Sequence, residues 1–314
     1  MKDTGEFIVL RYSLIEEAQI SSLAVSALPT PKGAAISIAL VGDREFDRNN
    51  VRYAFVGFSE AKPSELYRFQ AGRYLVGKVA KLRTAHVGEK VPGDIVEHTA
   101  DDWIPLMAVV DLMEQYIFVQ RDWRFGTELQ IANAIQAGVR EPVLAYYNHR
   151  VFIEPKTSKA EFWSTVDAHK KIYRLELKLI SPNILRTNEK AREVLQELKK
   201  LYGQDEMSLV LENESGNLEI PEETIADYID YIAEGEGKWT LITEGKKGGK
   251  KKHTSEKAAV SVELPVPTQE EINHENQLEL ETGLPAPGRE AGDASLIIQV
   301  ISESEILSRD ERDD

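Results

Sequence analysis

The chain has 314 residues with 42% hydrophobic content, enough to bury a sizeable core in two domains or in one large domain with appendages. It contains no cysteine, which excludes disulfides, a thiolate nucleophile and cysteine-ligated zinc or iron–sulfur sites. The net charge of -15 is unevenly spread: residues 266–314 hold thirteen Asp or Glu against three Arg, ten of those charges, and leave the body at -5.

Residues 1–10 lack the long apolar run of a secretion signal, and no stretch of eighteen apolar residues occurs, so a cytoplasmic protein with no membrane insertion is expected. Residues 7–12 predict a short strand. Residues 14–27, with Leu14, Ile15, Ala18, Leu23, Ala24 and Ala27, predict a helix stopped near Pro29 and Pro31. A meander follows, with strands over residues 34–41, 51–59 and 73–83 and a polar turn over 42–50. Gly57, Gly72 and Gly77 belong to bulges and turns of this meander, since no phosphate-cradling loop motif accompanies them. Strands over 107–111 and 116–120 precede a helix over 127–137 that Gly138 should stop.

The clearest unit spans residues 147–182. Val151 and Ile153 mark a strand ended by Pro155, Ser158 and Glu161 form the capping pattern of a helix, and Tyr173, Leu175, Leu177 and Leu179 alternate with Arg174, Glu176 and Lys178. The second strand must therefore have one face on a core and one in water. Further elements are a helix over 189–202, a strand over 207–211 and a helix from Pro221 to Gly235. A hairpin of residues 238–243 with 258–264 should then hold the run KKGGKKKH in its loop. From residue 265 the composition predicts an acidic, disordered tail, broken by an apolar island at 294–307 that would serve as a docking peptide or a last strand. The expected fold class is α+β, with mixed or antiparallel sheets and helices on one face. The expected division is 1–145, 146–265 and a tail over 266–314.

No residue constellation identifies a reaction, and no catalytic residue, metal ligand or cofactor is assigned. Glu176 and Lys178 on one strand face, with Glu154 or Asp167 upstream, outline the E-x-K skeleton of a metal-dependent nuclease. Cross-strand ion pairs on a wet face explain the same pattern. The six histidines form no paired metal motif. Lys246, Lys247, Lys250, Lys251 and Lys252 concentrate positive charge on one flexible loop suited to phosphate contact, or merely to solvation. Lys170, Lys171 and Arg150 would add to it if the fold gathers them. Trp123 and Trp163 are expected as core anchors rather than stacking platforms.

Between residues 76 and 264 the segments VGKVAKL, YIFVQ, VFIEP and LISPN, and the turn from Gly216 to Pro221 with its following helix, resemble a group of bacterial proteins. That group includes the phage-exclusion protein RexA and the KwaB-like subunits of the Kiwa defence system. The resemblance implies an intracellular homo-oligomer that binds duplex DNA without sequence preference, senses a phage and signals to a membrane partner. The acidic tail departs from it, and no catalytic motif carries over. A protein-interaction scaffold that binds no nucleic acid, recruiting a partner such as a phage protein, is the remaining alternative.

Overall fold

A computed structural model describes residues 3–17, 26–63, 67–180, 189–245, 248–266 and 289–303. Its organising strand is β1 (Asp3–Glu16), which is hydrogen-bonded along both edges. One edge is taken by β6 (Tyr116–Gln120). The other is shared end to end by β12 (Ser261–Val266), which pairs with residues 3–8, and β7 (His149–Pro155), which pairs with residues 10–16. Beyond β6 the sheet continues through β5 (Asp94–Asp111), β4 (Tyr74–Val91), β3 (Val51–Glu60) and β2 (Arg44–Arg48). A smaller sheet has the order β11 (Lys250–Thr254), β10 (Gly237–Glu244), β8 (Ile172–Ile180), β9 (Glu206–Glu212). Every strand ladder is antiparallel, and the fold is α+β.

Helices cover both faces of the larger sheet and one face of the smaller. On one face of the larger sheet, α1 (Ser37–Leu40) and α2 (Glu128–Tyr147) enclose a core that includes Leu10, Tyr12, Phe55, Leu106, Ile131 and Ile135. On the other, α6 (Arg289–Glu303) sets Ile297, Ile298 and Ile301 against Phe7, Val9, Val76 and Phe118. The apolar island is therefore a helix docked on its own chain, not a last strand or a peptide held out for a partner. In the smaller sheet, Leu175, Leu177, Leu179, Trp239 and Leu241 meet α3 (Lys159–Asp167), α4 (Glu189–Tyr202) and α5 (Glu222–Ala233) through Phe162, Leu195, Ile225, Ile229 and Ile232.

Several expectations give way to tertiary constraints. Residues 14–16 continue β1 rather than opening a helix, because both sheet faces are covered there and Leu14 and Ile15 are buried on opposite sides. Residues 18–25 of the expected helix lie outside the described residues. Residues 34–41 form a 3-10 turn (Lys32–Ile36) followed by α1, not a strand. Within the expected turn 42–50 lies β2. The glycine expectation holds at Gly57, which sits at positive φ where the β3–β4 register shifts. The strands at 73–83 and 107–111 are the inner halves of a far longer hairpin, β4–β5. The 147–182 unit is strand, helix and strand as expected, but its strands belong to different sheets. Residues 146–265 also contribute β7 and β12 to the larger sheet, so the boundary at 145 does not separate the two sheets. Of the tail, 267–288 and 304–314 lie outside the described residues.

Gly138 does not end α2. The helix runs on to Asn148, which takes the left-handed conformation at its C-cap. It begins as the sequence implies, with a capping box in which Thr127 N–H donates to Gln130 Oε1 at 2.9 Å. Gly138 is instead a point of close approach: a Cβ there would lie 2.5 Å from the Phe55 ring and 2.6 Å from that of Phe46. Pro142 lies four residues on and has no N–H to donate back to the Gly138 carbonyl. The Arg44 guanidinium donates to that oxygen instead. The substitution Gly138→Ala, which raises helix propensity by about 1 kcal/mol elsewhere, is expected here to destabilise the fold by about 1–3 kcal/mol. A urea titration followed by circular dichroism measures the sign.

Lys32, at the start of the 3-10 turn, donates from Nζ to the Leu14 carbonyl at 3.0 Å. Burial, followed by the nearby Lys199 ammonium, pushes its pKa down to about 8. The unfolded chain holds that proton more tightly, so the penalty on folding is complete below about pH 8. It disappears as the pH rises toward the ordinary lysine value. Lys32→Met is therefore expected to stabilise the protein at pH 7, by about 2 kcal/mol once residual exposure is discounted. Thermal melts at pH 7 and pH 10 should show that gain shrinking at the higher pH.

Candidate nucleic-acid interface

Alternation in the smaller sheet leaves one face without a helix among the described residues. That face carries Arg174, Glu176 and Lys178 from β8, Glu206, Ser208, Val210 and Glu212 from β9, and Lys238, Thr240 and Ile242 from β10. Toward β9 its charges are matched. Arg174 bonds Glu176 at 3.0 Å and also Glu212, while Lys178 meets Glu206 at 2.7 Å. Lys238 meets Glu154 of β7 at 3.7 Å, and burial raises the pKa of that carboxyl above its ordinary value against the pull of Lys238 and Lys178.

Glu176 and Lys178 thus stand in the ion pairs of a wet strand face, Glu176 with Arg174 along β8 and Lys178 with Glu206 across to β9. Glu154 faces Lys238, and Glu176 faces Arg174. Among the described residues no three His, Asp or Glu side chains are gathered to hold a metal ion.

At the opposite edge the balance reverses. Lys250, Lys251 and Lys252 do not sit on a loop: they form most of β11, which pairs with β10 through Glu244↔Lys250, Thr243↔Lys251 and Ile242↔Lys252. The expected hairpin partner, residues 258–264, instead supplies β12 to the larger sheet. The turn between β10 and β11 is closed by Gly245 N–H donating to the Gly249 carbonyl at 2.6 Å, with Gly248 at positive φ. Lys246 and Lys247 lie outside the described residues.

Strand alternation directs Lys250 and Lys252 to the open face, roughly 6.8 Å apart, and Lys251 to the side of the helices. All three are exposed. Lys250 Nζ lies 4.7 Å from the centroid of the Tyr173 ring. Among the described residues no ion pair joins Lys250, Lys251 or Lys252 to an acid, whereas most of the described arginines are engaged in such pairs.

The neighbours of β11 extend this cationic edge. Lys170 and Lys171 precede β8 and are exposed; Lys171 is tied to Glu244 at 3.0 Å, and Lys170 is in no ion pair among the described residues. His253 follows the lysines on β11, with Nε2 3.0 Å from Thr243 Oγ1 and its ring 4.8 Å from that of His169. Burial first, then Lys251, His169 and Lys257, push the His253 pKa below the ordinary imidazole value.

Arg150 is not part of this edge. It lies on β7, donates to Asp205 at 2.9 Å and to Glu17, and borders a recess of about 430 Å³ with Gln136, Arg140 and Glu206. That recess adjoins β9, three strand spacings or roughly 14 Å from β11 across the sheet. Trp163 packs on Phe162 as a core anchor, but Trp123 is 84% exposed in the turn after β6 and anchors nothing.

No helix among the described residues is long and apolar enough to cross a membrane. Neither a scan against protein-family models nor a search of curated proteins finds a match for this chain.

Proposed function

We propose that this chain binds the phosphate backbone of nucleic acid, duplex DNA first, without reading its sequence, and that β11 is the contact. The observation that carries this reading is the concentration of exposed lysines outside ion pairs on one strand edge. Such an edge releases condensed counterions when it meets a polyanion, and it lacks the planar bidentate donors that base recognition uses. Lysines also guard free sheet edges against pairing with other chains. Lys170 and Lys257 lie beside β11 on separate segments, which extends the positive field beyond the strand that edge protection concerns.

Within this proposal the protein is the sensing component of an anti-phage system, acting with a membrane partner. That setting rests on the family resemblance, and the binding rests on the charge distribution. The ion pairs of Glu176 and Lys178 favour binding without cleavage.

Titration of duplex DNA across a salt series without Mg²⁺ tests the reading. Changing Lys250, Lys251 and Lys252 together to Ser should flatten the slope of log affinity against log salt by about 2–3. Binding absent at low salt, or a slope unchanged by the triple substitution, would overturn it. Glu176→Gln is expected to leave the affinity unchanged, and a nuclease assay with Mg²⁺ should show no cleavage for that variant or the natural chain.

A further inference from the structure

The recess that Arg150 borders is built where β7 runs without a strand on its second edge. β1 takes one edge of β7, and among the described residues no strand takes the other. Gln136 of α2 closes part of that edge, its Oε1 accepting from the Ile153 N–H at 2.7 Å. The bond fixes the amide: with the oxygen committed to β7, the Nε2 group is left as a donor that faces elsewhere. Backbone groups of an antiparallel strand alternate between its two edges. Val151, two residues before Ile153, therefore also turns its N–H away from β1 and to this side. Arg140 lies one turn beyond Gln136 on the same face of α2. It is exposed, and among the described residues it enters no ion pair or hydrogen bond. All three residues line the recess of about 430 Å³, and Asp205 and Glu206 line it where β9 begins.

We propose that this recess binds a nucleoside monophosphate, with its phosphate on Arg140, Gln136 and the Val151 N–H and its nucleoside lying along Phe152 toward Asp205 and Glu206. Charge decides the class of ligand. Arg150 is shared between Glu17 and Asp205, Lys199 stands 3.9 Å from Asp205, and Lys178 meets Glu206 at 2.7 Å. Arg140, Arg150, Lys178 and Lys199 thus outnumber Glu17, Asp205 and Glu206 by one, and the cation left over is Arg140.

One anionic group matches that surplus. The planar fork of Arg140 takes two oxygens, while Gln136 Nε2 and the Val151 N–H suit a third, which a phosphate has and a carboxylate lacks. A di- or triphosphate would carry further charge toward Asp205 and Glu206 and be repelled. Those carboxylates are instead acceptors for the hydroxyls of a ribose or the amino group of a base. Phe152 is half-buried and offers a ring against which a base can lie. The volume lies within the range of small-molecule sites, roughly 300–1,000 Å³. The inference goes beyond nucleic-acid binding and does not rest on it, since β11 lies across the smaller sheet from β9.

Isothermal titration calorimetry tests the proposal on the full chain with Lys250, Lys251 and Lys252 changed to Ser, which removes the lysine edge as a competing phosphate contact. Adenosine and cytidine 5′-monophosphates should bind. Inorganic phosphate, adenosine and adenosine triphosphate should each bind at least about 10-fold more weakly. Arg140→Ala should weaken the monophosphates roughly 10- to 100-fold. Its melting temperature should stay that of the parent, because the side chain it removes is exposed and without a partner among the described residues. Phe152→Leu should weaken the nucleotides and leave inorganic phosphate unchanged, which separates a nucleoside site from a bare phosphate site.

Absence of binding by both monophosphates at millimolar concentration would overturn the proposal, as would an affinity indifferent to Arg140→Ala. Inorganic phosphate or benzoate binding as tightly as either nucleotide would overturn the assignment of a phosphate ester. DNA binding by the natural chain, whether found or not, reports on β11 and has no bearing on the recess.

Discussion

Arg11 leaves β1 where the two sheets meet, and its charge has to be answered there because almost none of it reaches water. Glu236 lies 3.7 Å away, the Glu114 carbonyl accepts from Nη1 at 2.6 Å, and the Tyr116 ring centroid is 4.7 Å from the guanidinium carbon. The approach is so close that a Cβ on Gly235 would lie 2.4 Å from the Arg11 Cβ, and Gly235 is also at positive φ. An ion pair in this position adds little net stability against a well-packed apolar alternative, but removing one member strands a buried charge. Its structural role is to define how the end of α5 meets β1. The backbone reinforces the junction: Thr157 N–H donates to the Ala233 carbonyl and Ile180 N–H to that of Glu236.

From that junction the two sheets serve different ends. The larger is covered on both faces and holds most of the buried aromatic mass. Among the described residues the smaller is covered on one face only, so its other face and both of its edges supply surface. Matched charges toward β9 make that side electrostatically quiet, while the lysines of β11 leave the far edge positive. The chain as a whole is strongly acidic, yet charge of the opposite sign is collected at one place. At the scale of a Debye length, about 8 Å at physiological ionic strength, an approaching polyanion responds to that local edge more than to the sum.

Much of the architecture was legible in residue order. The Ser158 cap of α3, the alternation of β8 and the amphipathic face of α5 stood out because each answers to a local rule. What stayed hidden depended on partners distant in the chain. Residues 34–41 carry strand-like residues, but both edges of β1 are occupied, and the segment winds into a turn and a short helix above it. Gly138 looked like a stop until Phe55 and Phe46 supplied the reason for a missing side chain. The lysines were visible as charge, whereas their place on a paired strand required β10. Arg150 belonged with them by composition alone, and the course of β7 carries it to the other side. The exposed Trp123 had no sequence signal that distinguished it from a buried tryptophan.

β1 has a consequence for the way the molecule comes into being. It precedes the other described strands in the chain, and its edge toward β12 is filled by residues 261–266. On a chain emerging from the ribosome, β6 is available early and the helix-covered face can assemble around it. The other edge must wait, first for β7 and then for β12, with backbone donors and acceptors open to any strand that passes. Native pairing at that edge is among the most non-local in the fold, and such pairings close slowly. β1 is thus both an early member of the sheet and its last open seam, where a growing chain needs protection from its neighbours.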